Sequence, residues 1–197
     1  MVPEVQVDEE GVLMKVGGAG ELLVRGDTVL VVVDMQEKLL PVIHEEAKIL
    51  DNVVKLVRFA GIIDLPILVT EQEKLGPTLE AVRSEIPGFS PITKIDFDAC
   101  RCPGFLGALE RLNRSTVLIT GIESHVCVTQ TVLHLLPEVR VHVVSDAVSS
   151  RTRENRDVAI WRMSRSGAVI SSTEMAIFEL LVKAGTQEFR ETLGIVK

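Results

Sequence analysis

The stretch Thr116-Val-Leu-Ile-Thr-Gly-Ile-Glu-Ser-His-Val-Cys-Val-Thr-Gln-Thr131 decides the fold. Its opening, Val117 to Ile119, is short, apolar and β-branched, which suits a buried strand, and Gly121 is expected to stop it. Glu123, Ser124, His125 and Cys127 follow, while Val126, Val128, Val132, Leu133, Leu135 and Leu136 fall close to helical spacing. A strand that turns at once into a helix is the unit of a parallel α/β sheet. Ligands bind at the carboxyl ends of such strands, and Cys127 is expected there, in the first turn of the helix.

That position favours chemistry. The first backbone N–H groups of a helix lack internal partners, and the helix dipole is positive there. A thiolate gains from both, so the pKa of Cys127 is expected to be lowered and its nucleophilicity raised. The same N–H groups suit an oxyanion formed when sulfur attacks a carbonyl. The competing reading is a small buried cysteine that packs one helix face. Position alone does not decide between them.

Upstream, Thr28-Val-Leu-Val-Val-Val-Asp34 reads as a central parallel strand covered on both faces. It ends in Asp34, which is either a catalytic carboxylate or a helix cap. A helix is expected over residues 43–61, a strand over 66–70, a polar loop over 70–77 and a helix over 79–85. Residues 91–98 read as a short strand or extended loop in which Lys94 lies among Ile92, Ile95 and Phe97. An exposed loop lysine is the competing reading there. Phe105 to Leu112 makes a helix.

Downstream, Val139-Arg-Val-His-Val-Val-Ser-Asp146 is a strand ending in a second aspartate. Ser149 or Ser150 suits the cap of the next helix, with Val158, Ala159, Ile160 and Trp161 as its apolar residues. A last strand is expected over 167–170. Ser171-Ser-Thr-Glu174 resembles a capping box before a helix over 175–182, and residues 186–197 suit a short closing helix. The alternation predicts a three-layer α/β/α Rossmann-like domain with a mostly parallel sheet of five or six strands.

Residues 1–27 look like an extension to a domain spanning 28–197. Val12 to Val16 and Glu21 to Arg25 flank Gly17-Gly-Ala-Gly20, the pattern of a hairpin. The glycines do not fit a dinucleotide-binding loop, and no helix follows them. A net charge of −7 argues against nucleic-acid partners and a polybasic membrane anchor. The three cysteines are an odd count, and Cys100-Arg-Cys102 is too closely spaced for a comfortable disulfide, so reduced thiols are expected. No apolar run approaches the roughly 20 residues of a membrane-spanning helix. The acidic N-terminus has no signal-peptide pattern, and a cytoplasmic protein is expected.

Asp34, Lys94 and Cys127 thus stand at three strand ends. Their surroundings resemble the isochorismatase-like cysteine hydrolases, through Val31-Val-Val-Asp-Met-Gln36, Thr93-Lys-Ile-Asp-Phe-Asp-Ala99 and Gly121-Ile-Glu-Ser-His-Val-Cys-Val-Thr-Gln-Thr131. Leu68-Val-Thr-Glu-Gln72 with Leu75-Gly-Pro-Thr78, Asp146-Ala-Val-Ser-Ser-Arg151 and Ser171-Ser-Thr-Glu174 resemble the isochorismatase domain-containing subgroup. The resemblance spans roughly residues 28 to 190.

The resemblance implies a triad: Cys127 as nucleophile, Asp34 as general base, and Lys94 stabilising both thiolate and carboxylate by charge. It implies a cis peptide at Ile122–Glu123 and an oxyanion hole made of the Glu123 and Cys127 N–H groups. Gln36, Leu75, Phe97 and Thr131 are the expected pocket walls. Nicotinamidases of the superfamily hold a metal through an Asp-x-His pattern and a further histidine after the second strand. Here that region reads Thr70-Glu-Gln-Glu-Lys-Leu, so neither a metal nor another cofactor is expected. True isochorismatases cleave a vinyl ether and often lack the cysteine, so Cys127 argues against that substrate. His125 reads as pocket lining or helix surface, and Cys100 and Cys102 have no evident role.

The expected function is therefore a metal-free cysteine hydrolase acting on a small-molecule amide or related C–N bond through a thioester. It is expected to form a dimer or larger homo-oligomer, with no nucleic-acid or membrane partner. The alternatives are a binding or scaffold protein with a residual site, and a redox-responsive thiol protein without turnover.

Overall fold

The computed structural model describes residues 22–196. Strand β1, Thr28–Val33, is completely buried along its length. Leu30 and Val32 join the core on one face of the sheet, while Val29, Val31 and Val33 join the core on the other. Side chains of a strand alternate between faces, so a near-continuous apolar run needs cover on both sides. Each such side chain contributes about 1.5–3 kcal/mol by leaving water.

The other strands are β2 (Ile67–Gln72), β3 (Ile92–Lys94), β4 (Thr116–Ile122), β5 (Arg140–Ser149) and β6 (Val169–Ser171). They form one six-stranded sheet of order β3-β2-β1-β4-β5-β6, with every pairing parallel. The expected α/β/α architecture is present, and the sheet takes the larger of the two expected sizes. The chain winds outward from β1 to β3 on one side and from β4 to β6 on the other. The crevice between β1 and β4 is the switch point, where ligands of such sheets bind.

Seven α-helices lie among the described residues: α1 (Glu46–Ile62), α2 (Glu80–Arg83), α3 (Pro103–Leu112), α4 (Thr129–Leu135), α5 (Arg153–Arg165), α6 (Thr173–Leu181) and α7 (Gln187–Val196). Ile49, Val53, Leu56 and Val57 of α1 pack with Ala176, Ile177 and Leu180 of α6 on one face. Phe105 and Leu109 of α3 pack with Val132 and Leu135 of α4 and with Ala159 and Met163 of α5 on the other.

Several boundaries differ from expectation. The expected polar loop from Thr70 is still strand as far as Gln72. Gly121 lies inside β4 and does not end it. β5 does not stop at Asp146 but continues to Ser149 across a bulge, because partner register jumps from Ile119↔Val143 to Gly121↔Val148. Thr152, not Ser149 or Ser150, caps α5, its hydroxyl accepting from Asn155 N–H at 3.2 Å. Ser149 is occupied with the His44 carbonyl and Ser150 with His125. On α5 the packing falls to Ala159 and Met163, one helical turn apart, and leaves Val158 and Trp161 well exposed. Ser172 caps α6 by accepting from Met175 N–H, one residue later than the capping-box register. The expected hairpin lies over residues 12–21 outside the described residues. Residues 22–24 carry no strand, and Arg25–Asp27 form a short 3-10 turn.

Candidate active site

Asp34 is the first residue after β1 and has a left-handed backbone, φ 48°. Few non-glycine residues adopt that region, although aspartate tolerates it best. The turn is held by Gln36 N–H donating to the Asp34 carbonyl at 2.7 Å and by Asp34 N–H donating to the Thr70 carbonyl at 3.2 Å. The Asp34 side chain is fully buried. Its Oδ1 accepts from the Thr70 hydroxyl at 2.7 Å, and its Oδ2 accepts from Lys94 Nζ at 2.7 Å. Lys94, the last residue of β3, is equally buried and donates a second hydrogen bond to Gln72 Oε1 at 2.8 Å. A buried ion pair persists only when its remaining hydrogen-bonding capacity is met, and Thr70 and Gln72 at the end of β2 meet it here.

The third group arrives from β4. The Ile122–Glu123 peptide is cis, and Glu123 precedes a π-helical turn, Ser124–Val128, that runs into α4. Cys127 lies in that turn and is 6 % exposed. Its thiol lies in the electrostatic field of both the Asp34 carboxylate and the Lys94 ammonium. Burial pushes the thiol up from 9.0 to about 12; Asp34 adds to the rise and Lys94 opposes it. The expected lowering is therefore corrected. Desolvation and a facing carboxylate outweigh the helix terminus and hold the thiol above its ordinary value.

Residues 28–175 match the family model described as the isochorismatase domain. The chain belongs to the isochorismatase family. It is 36 % identical over 184 residues to the secreted isochorismatase effector Isc1 of Phytophthora sojae, covering 89 % of this chain and 87 % of that one. It is 36 % identical over 174 residues to isochorismatase domain-containing protein 2A of Mus musculus, covering 86 % and 82 %. Among solved structures, the MAR1 ribonuclease of Caenorhabditis elegans superposes with a TM-score of 0.84 at 32 % identity, covering 89 % of this chain and 92 % of that one. No helix among the described residues is long and apolar enough to cross a membrane.

In this isochorismatase-family protein the other expected site residues are distributed unevenly. Gln36 is fully buried, and its amide is spent on backbone. It donates to the Gln72 and Gly76 carbonyls at 2.9 and 2.6 Å and accepts from Gln72 N–H at 2.8 Å. It braces the loop that follows β2. Thr131 is also fully buried, with its hydroxyl accepting from Ala99 N–H at 3.0 Å. Leu75 is half-buried, Phe97 is 54 % exposed and Ile95 is more open still at 71 %. The Glu123 carboxylate pairs with Arg151 Nε at 2.9 Å, and His125 Nδ1 meets the Ser150 hydroxyl at 2.9 Å. Thr70 and Gln72 were missed by the sequence reading. The signal for them was a pair of polar residues at the carboxyl end of the half-buried β2, the strand that pairs with β1 just before Asp34.

Proposed function

We propose that this protein is a cysteine hydrolase of a small-molecule amide or related C–N bond, working through a thioester without a catalytic metal. One observation carries the reading: Lys94 Nζ and Asp34 Oδ2 pair at 2.7 Å in full burial, and both act on the Cys127 sulfur. Cys127 attacks the carbonyl carbon as its proton passes to Asp34. The oxyanion is received by the Glu123 and Cys127 backbone N–H groups. Collapse expels the amine, which takes the proton back from Asp34. Water then gives its proton to Asp34 and attacks the thioester, releasing the acid and restoring the thiol. Lys94 pairs with the Asp34 carboxylate and offsets charge on sulfur. The exposed Ile95 and Phe97 near the site, and Val158 and Trp161 on α5, support a homo-oligomer in solution.

The test is the pH-dependent alkylation of Cys127 by iodoacetamide in the parent, Asp34→Asn and Lys94→Ala, with turnover followed on a panel of small primary amides. Near neutral pH the parent Cys127 reacts faster than Cys100. Asp34→Asn removes a negative charge that holds the thiol protonated, so a purely electrostatic Asp34 would speed alkylation when replaced. A general base slows it instead, and turnover falls about 100-fold or more. A Cys127 that reacts no faster than Cys100 and ignores both substitutions overturns the reading. RNA cleavage, the activity in the name of the C. elegans MAR1 ribonuclease, is the control and is expected to be absent given the net charge of −7.

A further inference from the structure

Away from Cys127, a second group of side chains converges on one point. Asp98 and Cys100 are two residues apart at the short 3-10 turn, Ala99–Arg101, that precedes α3. His134 reaches them from α4. Its Nδ1 lies 2.8 Å from Asp98 Oδ2, and one carboxylate oxygen, the Cys100 sulfur and an imidazole nitrogen all lie within 4.8 Å of one another. Asp98 and Cys100 are buried, and His134 is half-exposed.

We propose that Asp98, Cys100 and His134 form a binding site for a borderline-soft divalent cation of the Zn2+ type, separate from the catalytic centre. The donors are the ones such a cation takes: thiolate, imidazole and carboxylate, at bonds of about 2.0–2.3 Å. Those bonds put tetrahedral ligands roughly 3–4 Å apart, so a contraction of about an ångström closes the set. The support is already built. Thr131 clamps the turn to α4, its hydroxyl accepting from Ala99 N–H at 3.0 Å and its carbonyl facing the Cys100 sulfur at 4.0 Å. Asp98 Oδ1 also fixes the turn by accepting from Cys100 N–H at 3.0 Å.

The fourth coordination position has somewhere to open. Cys100 and His134 share the wall of a cavity of about 630 Å³ between α3 and α4, together with Leu106, Leu109, Glu110 and Glu138. A site with three protein ligands and one position open to solvent or a small ligand is thereby available. Arg101 Nε sits 3.6 Å from Asp98 Oδ2 but is largely exposed and can swing to solvent. Burial and Asp98 push the Cys100 thiol up to about 12, so the arriving cation displaces the sulfur's proton. His134 lies seven residues beyond Cys127, about 10 Å along the helix axis.

The test uses the full, untagged, metal-stripped chain. Zn2+ is titrated against a chromogenic chelator, and Co2+ is followed by absorption. One ion per chain is expected, with a near-ultraviolet thiolate-to-cobalt charge-transfer band and no competition from Mg2+. Cys100→Ser abolishes the band. His134→Ala, a change at a half-exposed position that leaves the fold intact by thermal unfolding, weakens binding by at least about 10–100-fold, the cost of losing even an outer-shell partner of a metal. Cys127→Ser leaves binding unchanged. The proposal is overturned by the lack of stoichiometric binding, by a band that survives Cys100→Ser, by binding indifferent to His134→Ala, or by a band that disappears with Cys127→Ser.

Discussion

Gly121 stands where two strands come closest beside the site. It pairs with Val33, the residue before Asp34, and has φ +113°. A Cβ there would lie 2.1 Å from the Val33 carbonyl oxygen and 2.7 Å from its nitrogen. Backbone cannot yield as a flexible side chain can, so Gly121→Ala must part β1 from β4 and move Asp34 away from Cys127. Gly167 has nearly the same φ, +111°, but open space around it. Gly167→Ala therefore isolates the dihedral cost. Denaturant unfolding should show a loss of about 1 kcal/mol for Gly167→Ala and roughly 3 kcal/mol or more for Gly121→Ala. Equal losses would remove close strand approach as the reason for Gly121. At this scale Asp34, Lys94 and Cys127 were legible as candidates only, each with a structural alternative, and the family resemblance rather than their position joined them. Thr70 and Gln72 were not, since their task is a hydrogen bond to a residue 36 or 22 positions away. The lowered thiol was misread for a related reason: helix position is local in sequence, but burial and the facing carboxylate are not.

Among the elements, β5 shows what periodicity leaves out. An apolar run does not announce a bulge, and so the strand seemed to end at Asp146. Instead the bulge turns Asp146 into a joint between the sheet and two helices. Its carboxylate accepts from Thr173 N–H and hydroxyl at 2.8 and 2.9 Å, and its carbonyl accepts from Asn52 Nδ2 at 2.6 Å. Helix ends were similarly underdetermined. Three hydroxyl residues, Ser149, Ser150 and Thr152, could each cap α5, and tertiary partners for the first two decided it. The difference between a local cap and a joint is measurable. Thr152→Ala removes a cap at an exposed helix start and should cost about 1 kcal/mol. Asp146→Ala leaves the Thr173 N–H and hydroxyl unpaired in a buried residue and should cost about 2 kcal/mol, within the usual 1–3 for an orphaned buried group. Denaturation of both variants checks the order, and a Thr152→Ala loss as large as that of Asp146→Ala would deny the joint.

For the whole molecule, two buried thiols tie stability to alkaline pH. Burial and neighbouring carboxylates push both Cys100 and Cys127 up to about 12 from 9.0. Above pH 9 the unfolded chain releases these protons while the folded chain keeps them. The folded state then binds more protons than the unfolded state, so unfolding free energy falls as pH rises. The contribution of each thiol is complete below its unfolded value of 9.0 and is lost progressively as pH climbs towards its folded value of about 12. The limiting slope is about 1.4 kcal/mol per pH unit for each thiol. Lysines titrate in the same range, so the parent curve alone would not isolate the effect. Denaturant unfolding of the parent and of the double variant Cys100→Ala/Cys127→Ala, in chelator between about pH 8 and 10.5, separates the two contributions. The curves should run parallel below pH 9 and diverge above it, with the parent falling more steeply. Curves that stay parallel throughout would mean that these thiols lose their protons as readily folded as unfolded. Burial and the Asp34 carboxylate would then not be holding the Cys127 proton above its ordinary value.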